Sequence, residues 1–312
     1  MSNANDPLLG AQVLVGEQTN RSVLLPNLIM PDAPNGVIIK VLRYPAPVPH
    51  PDVEVPVALR QVGYFGVPKV LGFTTALLPD GDTITTSITS ELIVNAVDGF
   101  KLACEYANRD ESFAFPAQQL GATIAELHRA LVSAFPESNN ENIRELTAIL
   151  RDRAETAVTE VPELVEFRDA ILDEYDKLTW QGDLQRVHGD LHLGQTLLSS
   201  TDGQWYVLDF EGEPLRPAED RARPDFPERD VAGMVRSFAY AQAVGGGSEN
   251  WATEAVQAFQ KGYAKHRALN ENLLNALVLD KALYEAVYEK RHRPDWLHIP
   301  SAAITQMLGG IR

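Results

Sequence analysis

The stretch "VHGDLHLGQTLLSSTDGQWYVLDFEGEPLRP", residues 187–217, places charged and amide side chains around two short apolar runs. Asp190 and Gln195 stand five residues apart, just before the run "TLLSS". Asp209 ends the second run, "WYVLDF", which follows the turn signal "TDG". Two such runs joined by a turn predict a β-hairpin. The hairpin would return Asp209 to the same end as Asp190 and Gln195.

This spacing matches the H-x-D-x-x-x-x-N loop and D-x-G triplet that kinases use for phosphoryl transfer. In that pattern the loop aspartate accepts the hydroxyl proton, and the amide and the second aspartate hold Mg²⁺. Glutamine replaces asparagine here and still offers a carbonyl oxygen, while D-F-E replaces D-F-G. Asp190 is therefore the candidate base, and Gln195 and Asp209 are the candidate metal ligands. The alternative is that both aspartates are turn residues at strand ends.

The periodicity of the chain changes near residue 99. Before it, β-branched runs such as "RSVLLPNLI" and "GVIIKVLRY" predict strands, and after it the pattern is helical. One predicted helix carries four apolar residues on one face: Leu120, Ile124, Leu127 and Leu131. We predict an α+β, bilobal fold, with a small β-rich N-terminal lobe (1–96) and a large helical C-terminal lobe (97–312). Ligands favour the cleft between two such lobes.

Composition excludes several classes of function. The chain has 312 residues, 27 Lys and Arg against 43 Asp and Glu, and a formal net charge of −16, which opposes binding to nucleic acid or to an anionic membrane. Cys104 has no partner for an intramolecular disulfide, so a cytoplasmic location is expected. We see no secretory signal and no apolar run of about 18 residues.

Lys40 lies inside the apolar strand "GVIIKVLRY", where a lysine is costly unless it is paired. We interpret it as the lysine that contacts the phosphates of ATP, paired with Glu54, with Asp52 as the fallback; the alternative is a rim lysine that reaches water. The preceding hairpin loop and the end of the sheet supply further nucleotide contacts. These candidates are Gly16, Thr19, Ser22, Glu91 and Ile93.

The C-terminal segment "YEAVYE" places Tyr284 and Tyr288 four residues apart on a helix, and Glu285 and Glu289 likewise. Stacked tyrosines suit the apolar face of a sugar ring, and carboxylates accept its hydroxyl groups. The alternative is an aromatic core stripe beside two solvated glutamates.

Three further residues are candidate substrate contacts. Glu213 and Arg216 directly follow the metal-binding aspartate and are placed beside the acceptor, although Arg216 could instead pair with Asp230. His188 is either a substrate contact or a structural residue whose ring bonds the loop backbone.

The runs "HGDLHLGQTLL", "WYVLDFEGEPLRP" and "YEAVYEKRHRPDWLHIPSAAI" closely resemble the bacterial maltokinases, relatives of the aminoglycoside phosphotransferases with a protein-kinase-like fold. The resemblance extends from about Val15 to Leu308. It implies ATP- and Mg²⁺-dependent phosphorylation of maltose at C1, a place in α-glucan (glycogen) synthesis, and association with trehalose synthase.

Two departures from the maltokinase pattern stand out. The usual N-terminal cap subdomain is expected to be reduced or missing, and His292 stands where asparagine is expected. One alternative is a kinase of the same fold for an aminosugar or aminoglycoside. The other is a catalytically dead pseudokinase that binds a trehalose- or glucan-handling enzyme.

Overall fold

The computed structural model of the chain describes residues 6–14, 20–136, 143–179, 184–213, 221, 223–248 and 250–309. The chain forms two compact units. The sheet unit comprises Met1–Asp98 and Gln195–Ala222, and the helical unit comprises Gly99–Gly194 and Arg223–Arg312. The predicted α+β class, with a β-rich N-terminal part and a helical C-terminal part, is confirmed. The contiguous division expected from the sequence differs in one segment, because Gln195–Ala222 belongs to the sheet unit.

The sheet unit contains an antiparallel sheet in the order β1-β2-β3-β5-β4 and a smaller sheet in the order β6-β7-β8. The strands are β1 (Gln12–Val13), β2 (Arg21–Leu25), β3 (Val37–Pro47), β4 (Val70–Leu77), β5 (Thr83–Glu91), β6 (Ala96–Asp98), β7 (Thr196–Ser199) and β8 (Trp205–Val207). The single helix described in this unit is α1 (Pro51–Gln61). Strands β7 and β8 form the hairpin predicted from the sequence.

Strand β3 is central to the larger sheet and carries Lys40. Its β-branched residues suit a pleated, half-buried surface. Lys40 pairs in register with Ser22 on β2 and with Ile88 on β5. Directly opposed residues in antiparallel strands project to the same face, so Ser22 and Lys40 share one side of the sheet.

The helical unit is built from eight α-helices among the residues described. They are α2 (Gly99–Asn108), α3 (Ala114–Ala134), α4 (Ile143–Glu160), α5 (Arg168–Asp176), α6 (Pro227–Gly245), α7 (Trp251–Tyr263), α8 (Glu271–His292) and α9 (His298–Leu308). Short 3-10 turns cover Pro162–Phe167, Leu193–Gln195 and Pro294–Trp296. The apolar face predicted for α3 is confirmed, because its four residues are fully buried. No helix in the described part of the chain is long and apolar enough to cross a membrane.

Helices α3 and α7 cross at close range through two glycines. A side chain at Gly121 would collide with the carbonyl oxygen of Phe259, and one at Gly262 with the carbonyl oxygen of Gln118. The crossing brings His128 on α3 to Tyr263 at the end of α7. The close approach of the two helix backbones thus fixes the positions of His128 and Tyr263, two buried polar residues of the helical unit.

Candidate active-site residues in the two units

The β7–β8 hairpin brings Gln195 and Asp209 together. Gln195 precedes β7, Asp209 follows β8, and the amide Nε2 of Gln195 donates to Oδ2 of Asp209 at 3.0 Å. The backbone also closes here, because the amide of Leu208 donates to the carbonyl oxygen of Gln195 at 2.9 Å. Asp209 has a φ of 65°, a left-handed conformation that is strained for a residue with a side chain and is typical of functional sites.

Lys40 is surrounded by three carboxylates of the sheet unit. Its Nζ lies 2.5 Å from Oδ2 of Asp52, 2.6 Å from Oδ1 of Asp209 and 2.5 Å from Oε1 of Glu211. An ammonium group has three donors, so each is matched by one carboxylate. Burial opposes the charged form of Lys40, but the three carboxylates outweigh it and raise the pKa of Lys40 above its ordinary value. The side chain is therefore a fixed cation at the end of the hairpin.

The partner of Lys40 on helix α1 is Asp52, the fallback in the sequence analysis, and not Glu54. The helix begins at Pro51 and is capped by His50, whose Nδ1 accepts from the amide of Asp52 at 3.1 Å. Asp52 also accepts from the amide of Phe210 at 2.6 Å. Glu54 is exposed, because two residues along a helix turn the side chain by about 200°. The choice of Glu54 was wrong for this reason.

Glu211 links Lys40 to Asn20, the residue directly before β2. Its Oε1 accepts from Nδ2 of Asn20 at 2.9 Å, and Oδ1 of Asn20 accepts from the amide of Arg43 at 3.1 Å. Asn20 is 7% exposed. The sequence analysis missed Asn20, since no local pattern indicates a partner 191 residues away.

The carboxylates of the sheet unit suit a hard divalent cation. Asp52, Asp209 and Glu211 each offer an oxygen within 4.8 Å of the others. Mg²⁺ takes oxygen ligands and commonly only one or two carboxylates from a protein. The residues present therefore fit the metal expected from the sequence, with Asp209 and the amide oxygen of Gln195 as the predicted ligands and Glu211 beside them.

The other predicted nucleotide contacts have different outcomes. Gly16 and Thr19 lie outside the described residues. Ser22 lies beside Lys40 on the neighbouring strand. The amide of Glu91 donates to the carbonyl oxygen of Lys69, and its side chain pairs with Arg60. The adenine contact from the backbone between Glu91 and Ile93 stays a prediction.

In the helical unit, a buried carboxylate holds the loop that carries Asp190. Asp230 on α6 accepts from the amides of His188 at 2.8 Å and Gly189 at 2.9 Å, and it contacts Nε2 of His128 at 3.0 Å. Burial opposes the charge of Asp230, but the hydrogen bond and charge of His128 outweigh it and lower the pKa of Asp230. An ionised carboxylate can only accept, so Nε2 of His128 carries the hydrogen.

The ring of His188 bonds the backbone of its own loop. The residue is 1% exposed, and its Nδ1 accepts from the amide of Asp190 at 3.3 Å. This contact matches the structural interpretation of His188 and does not support the substrate contact. Asp190 itself is partly exposed, and its Oδ1 lies 3.3 Å from Nζ of Lys281 on α8. The sequence analysis did not identify Lys281.

The predicted acceptor residues on α8 are largely engaged with their neighbours. Oε2 of Glu285 accepts from Nε of Arg236 at 2.8 Å, and Glu289 pairs with Arg293. Burial chiefly raises the pKa of Glu285, although Arg236 opposes this effect. Glu285 and Glu289 are therefore paired groups and not the solvated glutamates of the alternative interpretation.

The tyrosines form an aromatic ladder along the same helix. Tyr288 stacks on Tyr284 with ring centroids 6.5 Å apart and on His292 with centroids 4.6 Å apart. The ladder gives both tyrosines aromatic partners within the helix, and the stacking of a sugar on them stays a prediction. Glu213 is buried, and Arg216 lies outside the described residues, as does its predicted pairing with Asp230.

Comparisons with known proteins agree with this arrangement. A sequence model of the phosphotransferase enzyme family (APH) matches residues 116–269. Glucosamine kinase of Mycolicibacterium smegmatis is 29% identical over 99% of this chain and 82% of its own length. Glucosamine kinase of Streptacidiphilus jiangxiensis is 26% identical over 97% of this chain and 74% of its own length.

Solved structures show the same fold. Glucosamine kinase in complex with glucosamine, ADP and inorganic phosphate has a TM-score of 0.77 at 25% identity, covering 98% of this chain and 81% of that one. Spectinomycin phosphotransferase in complex with ADP and spectinomycin has a TM-score of 0.56 at 13% identity, covering 96% and 92%. With this fold, and with the family model matching its helical part, the chain is similar to the phosphotransferase enzyme family and is an enzyme with a protein-kinase-like fold.

Proposed function

We propose that the enzyme transfers the terminal phosphoryl group of ATP to a hydroxyl group of an aminosugar of the glucosamine type, with Mg²⁺ as cofactor. The observation that carries the phosphoryl-transfer part is the Lys40 cluster. It combines a partly buried cation, its helix partner Asp52 and the hairpin aspartate Asp209. These are the parts that a protein kinase assembles around its nucleotide.

In the sheet unit, Lys40 supplies a positive charge to the phosphates, and Asp52 keeps that charge in place. Gln195 and Asp209 would hold Mg²⁺ through oxygen atoms. The metal, when bound, would supply positive charge that offsets the negative charge developing during transfer. Asn20, the residue directly before β2, is connected through Glu211 to the same cluster as Lys40.

In the helical unit, Asp190 accepts the proton of the acceptor hydroxyl. The oxygen–phosphorus bond forms while the bond to the leaving ADP breaks, and the proton passes to the Asp190 carboxylate and then to solvent. Asp230 supports this step indirectly, because it holds the amides of His188 and Gly189 and so fixes the loop on which Asp190 lies. The leading interpretation of the sequence included this base, and the geometry of the loop supports it.

Three observations favour an aminosugar over maltose as the acceptor. The similar proteins are named glucosamine kinases, and the tyrosine pair on which the maltose prediction depended is accounted for by the ladder on α8. The net charge of −16 also favours a cationic acceptor over a neutral one. The place in α-glucan synthesis and the association with trehalose synthase were implied by maltose, and nothing in the site or the relatives supports them.

The test is an ADP-release assay on the purified protein with glucosamine, N-acetylglucosamine, glucose, maltose and an aminoglycoside. We expect the highest kcat/KM for glucosamine, with ³¹P NMR identifying the phosphorylated hydroxyl. A higher kcat/KM for maltose would overturn the aminosugar assignment but keep the kinase.

The control for this assay is Asp190→Asn. General-base catalysis contributes about 10²–10⁴-fold, so the variant should lose turnover on that scale while nucleotide binding is retained. Absence of turnover with every acceptor, together with absence of ATP binding, would instead support the pseudokinase alternative.

A further inference from the structure

Lys281 on α8 is the cation nearest to the proposed base among the ion pairs of the described residues. Its Nζ lies 3.3 Å from Oδ1 of Asp190, and both side chains are mostly buried, with 24% and 20% exposure. The two residues are 91 positions apart in the chain, so the packing of α8 within the helical unit creates the pair. An ion pair with this little exposure is less screened than a surface pair.

The surroundings of Lys281 hold its ammonium group in place. It lies over the ring of Tyr284, 4.8 Å from the ring centroid, a cation–π contact. Its charge also favours the ionised form of Glu285. Lys290 lies further along the same helix and differs, because it pairs with the exposed Glu163 at 3.0 Å. Lys281 therefore belongs to the surroundings of Asp190 and is not simply one of the solvent-facing lysines of the helix.

The chemistry at Asp190 requires a nearby positive charge. The Asp190 carboxylate must lie next to a hydroxyl that attacks an anionic phosphoryl group. The carboxylate and the phosphoryl group are both anions, so they repel each other at short range. The loop "HGDLHLGQ" carries no lysine or arginine of its own. A preorganised cation next to the carboxylate offsets this repulsion as charge develops.

We propose that Lys281 is a positioning residue for phosphoryl transfer. It holds Oδ1 of Asp190, so that Oδ2 is presented to the acceptor hydroxyl, and it offsets the charge of the carboxylate as the phosphoryl group approaches. Lys281 itself takes no proton. The proposal rests on the proposed function, since it assigns Lys281 a part in the reaction at Asp190.

The test is a double-mutant cycle on kcat with glucosamine and ATP at saturation. Lys281→Met should lower kcat by about 10- to 100-fold, which is at or below the loss caused by removing a group that stabilises the transition state directly. The KM for ATP should change by less than about 3-fold. Lys281→Arg should restore most of kcat. In the Asp190→Asn background, Lys281→Met should change kcat less than about 3-fold, because a residue that acts through the base has no effect once the base is gone.

Lys290→Met is the matched control on the same helix and should leave kcat and KM unchanged. Circular dichroism and the thermal midpoint check the fold of each variant, and Lys281→Gln replaces Lys281→Met if the latter does not fold. The proposal is overturned if Lys281→Met keeps wild-type kcat, or if its effect multiplies with that of Asp190→Asn.

Failure of the proposed function is a separate result. It appears as a wild-type protein that phosphorylates no aminosugar. The same cycle is then measured on ATP hydrolysis by water. Coupling between the two positions there supports the pairing of Lys281 with Asp190, whereas additivity, or the absence of any hydrolysis, overturns it.

Discussion

Three carboxylates share one ammonium group in the sheet unit, and this arrangement makes Lys40 the residue on which the cluster depends. Without it, Asp52, Asp209 and Glu211 would face one another with oxygen atoms within 4.8 Å. Removing one partner of a fully buried ion pair costs about 3–5 kcal/mol. Lys40 is partly exposed, so Lys40→Met should destabilise the protein by a smaller amount, about 1–3 kcal/mol. Adding Glu211→Gln should recover part of the loss, because it removes one of the repelling charges.

Thermal unfolding in the presence of EDTA measures this effect. Added Mg²⁺ should raise the midpoint of Lys40→Met more than that of the wild type, because a cation that binds the folded state stabilises it. A Lys40→Met variant as stable as the wild type would show that the three carboxylates are not held together by this charge.

Gln195 and Asp209 are expected to differ in their effect on metal dependence. Asp209 offers a charged oxygen and Gln195 a neutral one, so Asp209→Ala should abolish activity at any Mg²⁺ concentration. Gln195→Ala should instead raise the Mg²⁺ concentration needed for half-maximal activity. A Mg²⁺ titration of kcat measures both, with Asp176→Asn, at a surface ion pair with Arg151, as the control. Equal Mg²⁺ requirements in Gln195→Ala and the wild type would remove Gln195 from the metal site.

The contact predicted correctly at the site joins two residues that are close in sequence. Gln195 and Asp209 are 14 residues apart, and one hairpin is enough to join them. Asn20 and Lys281 were missed, because their partners are 191 and 91 residues away and depend on packing that no local pattern contains.

At the scale of elements, the N-cap of helix α1, the helix that carries Asp52, makes the stability of the protein depend on pH. His50 is buried and caps the helix as a hydrogen-bond acceptor. Burial chiefly lowers the pKa of His50 below 6.5, although nearby carboxylates oppose this. The folded state thus binds the proton less tightly than the unfolded chain, so the contribution to stability is present above pH 6.5 and is lost as the pH falls below it.

His50→Asn should remove this pH dependence, because asparagine is a good N-cap that does not titrate. The measurement is the free energy of unfolding in urea between pH 8 and pH 5. The wild type should lose more stability than His50→Asn over this range, by about 1 kcal/mol, the typical contribution of a cap. Parallel curves for the two proteins would contradict the assignment.

The crossing of α3 and α7 reverses the usual effect of a glycine substitution. Glycine to alanine inside a helix normally stabilises by about 1 kcal/mol. At Gly121 the added methyl group would meet the carbonyl oxygen of Phe259, so Gly121→Ala should destabilise the protein by about 1–3 kcal/mol. Urea unfolding measures this, with Gly72→Ala as the control, since nothing lies within 4 Å of that position. A more stable Gly121→Ala variant would rule out the close crossing.

Secondary-structure elements were predicted better than the side chains that pair with residues on them. The β7–β8 hairpin and the buried face of α3 follow from periods of two and 3.6 residues, and both are present. The helix pair Glu285 and Glu289 was also placed correctly on one helix. Their partners Arg236 and Arg293 were not predicted, because the helical period does not indicate these positions.

At the scale of the whole molecule, the charge of −16 should act on the acceptor before any single contact does. A negative field concentrates cations near the protein, and salt screens this effect over about 10 Å at 0.1 M ionic strength. The kcat/KM for glucosamine should therefore fall by about 2- to 5-fold between 20 mM and 300 mM salt. Glucose carries a hydroxyl in place of the charged amine, so it should show little change at the same saturating ATP concentration. Equal salt dependence for the two sugars would mean that the acidic surface has no part in selecting the acceptor, and that selectivity for an aminosugar depends on local contacts alone.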